Sequence, residues 1–156
     1  MSHRFLVTLV GGLLALGAVD VWAAKAPLSL KELKKQASHV ISGKVVQVTW
    51  ENQKSKVERS LGIHRDRVYA IVLKVKTISK GTGLKAGEEV IIEAWQPALR
   101  IPPLPGLQGH ESIPKGGDRV TVYLEGKKGK VYLPILPNGI VINKEAKEQD
   151  EKKTTP

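Results

Sequence analysis

The sequence predicts a small, mainly β protein: a closed or nearly closed antiparallel barrel of five to six strands with one N-terminal amphipathic helix. Three observations carry that prediction. Between His39 and Ile142, β-branched and apolar residues recur at alternate positions in short runs, the period of a strand with one buried face. Glycine, proline, asparagine and aspartate separate the runs, as turns require. Only one segment, Leu28 to Ala37, has apolar residues at helical spacing.

The chain has 156 residues, enough for one domain with a substantial core. Its ends are set apart by composition. His3 and Arg4 precede the apolar run Phe5–Val19, and small residues surround Ala23; residues 1–23 have the layout of a secretory signal peptide. The run is about fifteen residues, short of the roughly twenty that span a bilayer, so no membrane span is expected after cleavage. An uncleaved N-terminal anchor is the alternative. With no cysteine, a lipid attached through one, disulfides and thiol catalysis are all excluded. Export without disulfides points to a bacterial periplasm or secretion.

Residues 144–156 form a charged tail in which four lysines balance four acids and the largest apolar side chain is Ala146. Such a segment buries too little surface to offset the entropy of ordering, and is expected to be disordered. The domain is therefore 24–143. Arg4 cancels Asp20 and the tail sums to zero, so the whole net charge of +10 falls on that domain. A domain this basic attracts polyanions, and export favours anionic lipid or glycan over nucleic acid.

Within the domain, Ser29 and Glu32 form a capping box, with Leu28 and Leu33 at the staple positions. Leu30, Leu33 and Ala37 then share one helix face. His39–Trp50 reads as a strand that Gly43 interrupts, the mark of a bend or bulge. Polar residues 51–66 read as a long hairpin connection. In the strand 67–80, Tyr69, Ile71, Leu73 and Val75 face inward, while Lys74 and Lys76 make the far half of the outer face basic. Glu88–Trp95 turns Val90, Ile92 and Ala94 to one side. Arg119–Glu125 does the same with Val120, Val122 and Leu124. Gly126–Gly129 is a tight turn into 130–133, and Ile140–Ile142 closes the series.

Those elements carry "HVISGKVVQV", "KTISKGTGLKAGEEVII", "IPKGGDRVTVYLEG" and "LPNGI". Over residues 28–142 the rhythm of strands and turns resembles uncharacterised secreted bacterial domains with an OB-like barrel. That architecture is shared with netrin-like domains and tissue inhibitors of metalloproteinases. The resemblance implies a fold and not an activity. Inhibitors of that architecture act through an N-terminal cysteine amine and disulfides, which this chain lacks, so no functional residue is carried over.

Catalytic signatures are absent from the sequence. The histidines outside the leader, His39, His64 and His110, have no metal-binding spacing. His39 reads as a local hydrogen-bonding residue and His64 as exposed in the hairpin connection. There is no G-x-S-x-G elbow and no phosphate loop, and no cofactor or metal is expected. Oligonucleotide binding would need clustered aromatics, and Trp50, Trp95, Tyr123 and Tyr132 are scattered. These considerations rank a non-catalytic binding module first. A small metal-dependent or hydrolytic enzyme and an oligonucleotide-binding barrel stand as alternatives. The expected surface is the proline-rich crossing 97–118, with Trp95 and Tyr123 as flat contacts, Arg100 and His110 as polar ones, and Leu104 as an apolar anchor. A stiff apolar loop suits a protein partner, whereas the lysines suit an anionic glycan or lipid.

Overall fold

The computed structural model describes residues 25–56, 62–103, 109–128 and 130–143. The segments read as a signal peptide and a charged tail, together with Leu104 and Leu107, lie outside the described residues. Helix α1 (Leu30–Gln36) is followed by β1 (His39–Lys54), β2 (Ile63–Lys80), β3 (Glu89–Ile101), β4 (Arg119–Lys128), β5 (Val131–Pro134) and β6 (Ile140–Ile142). The chain is mainly β, in a six-stranded sheet of order β1-β2-β3-β5-β4-β6. A further β1–β4 pairing joins β1, β2, β3, β5 and β4 into a ring. Not every pairing is antiparallel, contrary to the sequence reading: Ile91 and Ile92 of β3 run parallel to Val131 and Tyr132 of β5. Parallel neighbours need a long crossover, and the crossing together with β4 supplies it.

The ring closes because β1 has two partners along one stretch. His39–Lys44 pairs with β4, while Val40–Lys54 pairs with β2, with register shifts at Val40/Ile41, Ser42/Gly43 and Val45/Gln47. Gly43 stands at the second of these shifts, where β2 comes so close that a Cβ would press into the Lys74 carbonyl. The interior holds Ile71, Leu73, Val75, Val90, Ile92, Ala94, Val120, Val122 and Leu124, all buried, as alternation predicts.

A second core lies outside the ring. Leu33 and Ala37 of α1 pack with Val40, Tyr123 and Ile135, and Leu28 joins them. The capping box forms: Ser29 Oγ accepts from the Glu32 amide at 3.3 Å, and Glu32 Oε2 accepts from the Ser29 amide at 2.8 Å. Asn138 ties this end down, accepting from the Leu28 amide at 3.0 Å and donating to its carbonyl at 2.7 Å. Leu30 does not join the buried face and is 59% exposed. The helix has only two turns, and Leu28, ahead of the cap, fills the apolar slot instead.

Three boundaries differ from the sequence reading. Beyond the ring, β1 and β2 continue as a hairpin arm to Lys54 and Ile63, so the connection is much shorter than 51–66. Both faces of the arm carry polar residues, which hides its strand character; Trp50 opposite Tyr69, with Arg67 stacked 4.3 Å above the indole, supports it. The third strand runs on to Ile101, carrying Pro97 opposite Asp66 beside a register shift, where a ladder tolerates proline. β4 likewise extends through Gly126 to Lys128, with a shift at Leu124/Gly126.

Candidate functional site

Of the five residues expected to form a surface, His110 and Tyr123 are buried. Trp95 is half-buried, and its backbone is engaged by His110: the Trp95 amide donates to Nδ1 at 3.1 Å, and the His110 amide donates to the Trp95 carbonyl at 2.8 Å. Gly109 permits this approach, because a side chain there would meet the Trp95 carbonyl and its φ is +72°. His110 is 3% exposed. With Nδ1 accepting, Nε2 carries the proton and faces the Pro134 carbonyl at 3.4 Å. It therefore fastens the crossing to β3 and β5 and is not a surface contact. Arg100 is ion-paired with Asp66, and its Nη1 donates to the Arg65 carbonyl at 2.6 Å. Tyr123 does not offer a flat contact. It is 5% exposed, because α1 and the turn after β5 cover the outer face of β4. Leu104 lies outside the described residues. Sequence reasoning also misplaces His64, which is 1% exposed and pairs with Arg100 on the arm. His39 does bond locally, to Ser38 Oγ at 3.0 Å, and its Nε2 also lies 3.0 Å from the distant Thr82 carbonyl.

Burial pushes the His110 imidazole below its ordinary value of 6.5, and its contacts with the Pro134 and Trp95 carbonyls only partly offset this. The fold thus favours the neutral ring, while the unfolded chain protonates at the ordinary value. The stabilisation is complete above pH 6.5 and is lost as pH falls through the folded value. Urea unfolding at about pH 7.5 and about pH 5 should show wild-type stability falling by about 1.4 kcal/mol for each unit of separation. His110→Gln should lack that component; equal pH slopes in the two proteins would contradict it.

What the topology does assemble is a basic groove. Lys44 of β1 stands directly opposite Lys74 of β2 on one side and Arg119 of β4 on the other. Three cations thus lie in a row across three strands. Lys76 adds a fourth, and among the described residues no acid lines the groove. The groove has a volume of about 500 Å³ and is floored by Gly43, Val75 and Val120, with Asn143 at one end. Backbone bonds set its walls. The Gly87 amide donates to the Val75 carbonyl at 2.8 Å, and the Asn143 amide donates to the Arg119 carbonyl at 2.8 Å. The Val45 amide donates to the Asp118 carbonyl at 2.8 Å, which holds the turn before Arg119 against β1. Beside the charged row, Ser42 Oγ lies 2.9 Å from Thr121 Oγ1, and Asn143 Nδ2 donates to Thr121 Oγ1 at 3.4 Å.

Like charges directly opposite one another, as Lys44 is to Lys74 and to Arg119, disfavour pairing in a sheet. An anion in the groove reverses the sign of that effect. The basic outer face of β2 is visible in the sequence, but Lys44 and Arg119 join it only through the pairing register.

A smaller concavity of about 210 Å³ lies along the arm, lined by Trp50, Tyr69 and Ile91 with Glu51 and Glu93. Among the described residues, no three His, Cys, Asp or Glu side chains converge where they could hold a metal ion, and no helix is long and apolar enough to cross a membrane. No family model matches the chain, and neither curated proteins nor solved structures give a match to it.

Proposed function

We propose that the chain is an exported, OB-like barrel domain acting as a non-catalytic binding module for an anionic component of the cell envelope. Strand order supports the OB-like reading, since a five-strand ring closed by a parallel β3–β5 pair suits that architecture. The leader-like residues 1–23 support export. The observation that carries the function is the groove lined, among the described residues, by four cations and no acid. Walls of low dielectric focus such a field and raise the local concentration of anions.

Titration calorimetry with dextran sulfate at low salt tests this reading. Binding by the wild type should weaken sharply in Lys44→Gln/Lys74→Gln, and should be unchanged in Leu99→Ser/Ile101→Ser. The opposite pattern would overturn it. A second reading, a protein partner on the arm, is favoured by the adjacent Ile63 and Ile101, which pair across β2 and β3 and are 50% and 54% exposed. It predicts that the Leu99/Ile101 variant loses capture of that partner while anion binding persists.

A further inference from the structure

Resting on that reading, we propose that the occupant of the groove is a single linear acidic polysaccharide chain, laid across β2, β1 and β4. The argument begins with the grid of side chains on this face. Lys74, Lys44 and Arg119 occupy successive strands in register, and adjacent strands are about 4.8 Å apart. Two residues along, Ser42 and Thr121 pair in register with each other, with Lys76 beside them on β2; Asn143, whose amide bonds the Arg119 carbonyl at the end of the first row, reaches Thr121 with its side chain. The first row offers a cation from each of three strands, and about 7 Å along the strands neutral hydroxyl and amide groups stand beside the single cation of Lys76. A polymer with an acid group and several hydroxyls in every unit presents the same two features in parallel. A bare polyphosphate presents only the first.

Two other polyanions fit less well. Single-stranded nucleic acid binds by stacking its bases on aromatic rings, and among the described residues no aromatic lines the groove. The exposed Trp50 lies six residues along β1 from Lys44, roughly 20 Å away, and Arg67 already covers one face of its indole. A bilayer surface is held by charge together with apolar insertion. None of the large exposed apolar residues, among them Trp50, Ile63 and Ile101, lines the groove, and its cations flank a recess. At the β3 side Glu89 stands opposite Lys74 and ends the row with a negative charge. The chain therefore runs from Lys74 toward Arg119 and Asn143.

The test uses the full chain and five probes: oligogalacturonate, its methyl ester, polyphosphate of matched charge, single-stranded DNA, and vesicles rich in anionic lipid. Oligogalacturonate should bind, and its uncharged ester should not. Asn143→Ala, which keeps the Ser42–Thr121 pair, and Ser42→Ala/Thr121→Val should each weaken oligogalacturonate roughly fivefold per lost hydrogen bond. Both should leave polyphosphate affinity unchanged, and melting curves of each variant should report a folded protein. Lys44→Gln/Lys74→Gln should weaken every anionic probe. If the hydroxyl and amide variants change nothing, or if DNA or vesicles bind more tightly than oligogalacturonate, the glycan assignment is overturned while the groove stands. If the lysine variant changes nothing, the groove itself is not the site, and the underlying reading fails with it.

Discussion

Gly43→Ala is expected to destabilise the fold by about 3 kcal/mol, the upper range for inserting one carbon into a packed interior. The added Cβ would overlap the Lys74 carbonyl oxygen and stand 3.0 Å from its carbonyl carbon. Both are backbone atoms, so no side chain can rotate away. The strands would have to part where β1 is held on its other side by β4 through Gly43–Val120, and that second pairing blocks the escape. Because the neighbouring register pair is Lys44–Lys74, any separation also spreads the floor of the groove. Urea unfolding should therefore show a lower midpoint, and a folded remnant should bind polyanion more weakly. A midpoint within experimental error of wild type would mean that β1 and β2 are not in close contact at Gly43.

Lys44→Gln should have opposite effects on stability and on binding. Lys44 faces a cation on each flank, so removing its charge relieves two repulsions at once. At low ionic strength the gain should be about 0.5 kcal/mol, shrinking with added salt because the side chains are exposed. The same change removes the middle member of the row, and polyanion affinity should fall several-fold. A residue kept for packing or solubility alone would not separate the two measurements in this way. Loss of stability together with unchanged binding would contradict the account.

The parts of this fold legible in the sequence are those that depend on local chemistry. Ser29 and Glu32 satisfy each other within one helical turn, and Ile71, Leu73 and Val75 reveal a buried face by alternation alone. Gly43 announces a bend because a missing side chain is itself a signal. What escaped was set by partners distant in sequence. Tyr123 alternates outward from the ring, yet α1, more than eighty residues earlier, covers it. His64 reads as exposed because its surroundings are polar, but it is buried opposite Arg100. The arm was hidden because neither face shows strand alternation, and Pro97 stood as a false end to β3. His110, expected as a polar surface contact, is buried and anchors the crossing to the Trp95 backbone. The groove is the extreme case. Lys44, Lys74 and Arg119 belong to three separate strands, and nothing in any one of them shows that they meet.

The most direct test of the groove as an anion site is the salt dependence of its affinity. With dextran sulfate as ligand, the logarithm of the association constant is followed against the logarithm of salt concentration for wild type and for Lys44→Gln/Lys74→Gln. Each cation that engages the polymer releases counterions, so the variant's slope should be shallower by roughly one for each charge removed, and its affinity at low salt correspondingly lower. Superimposable lines for the two proteins would show that the polymer binds elsewhere, and would contradict the account.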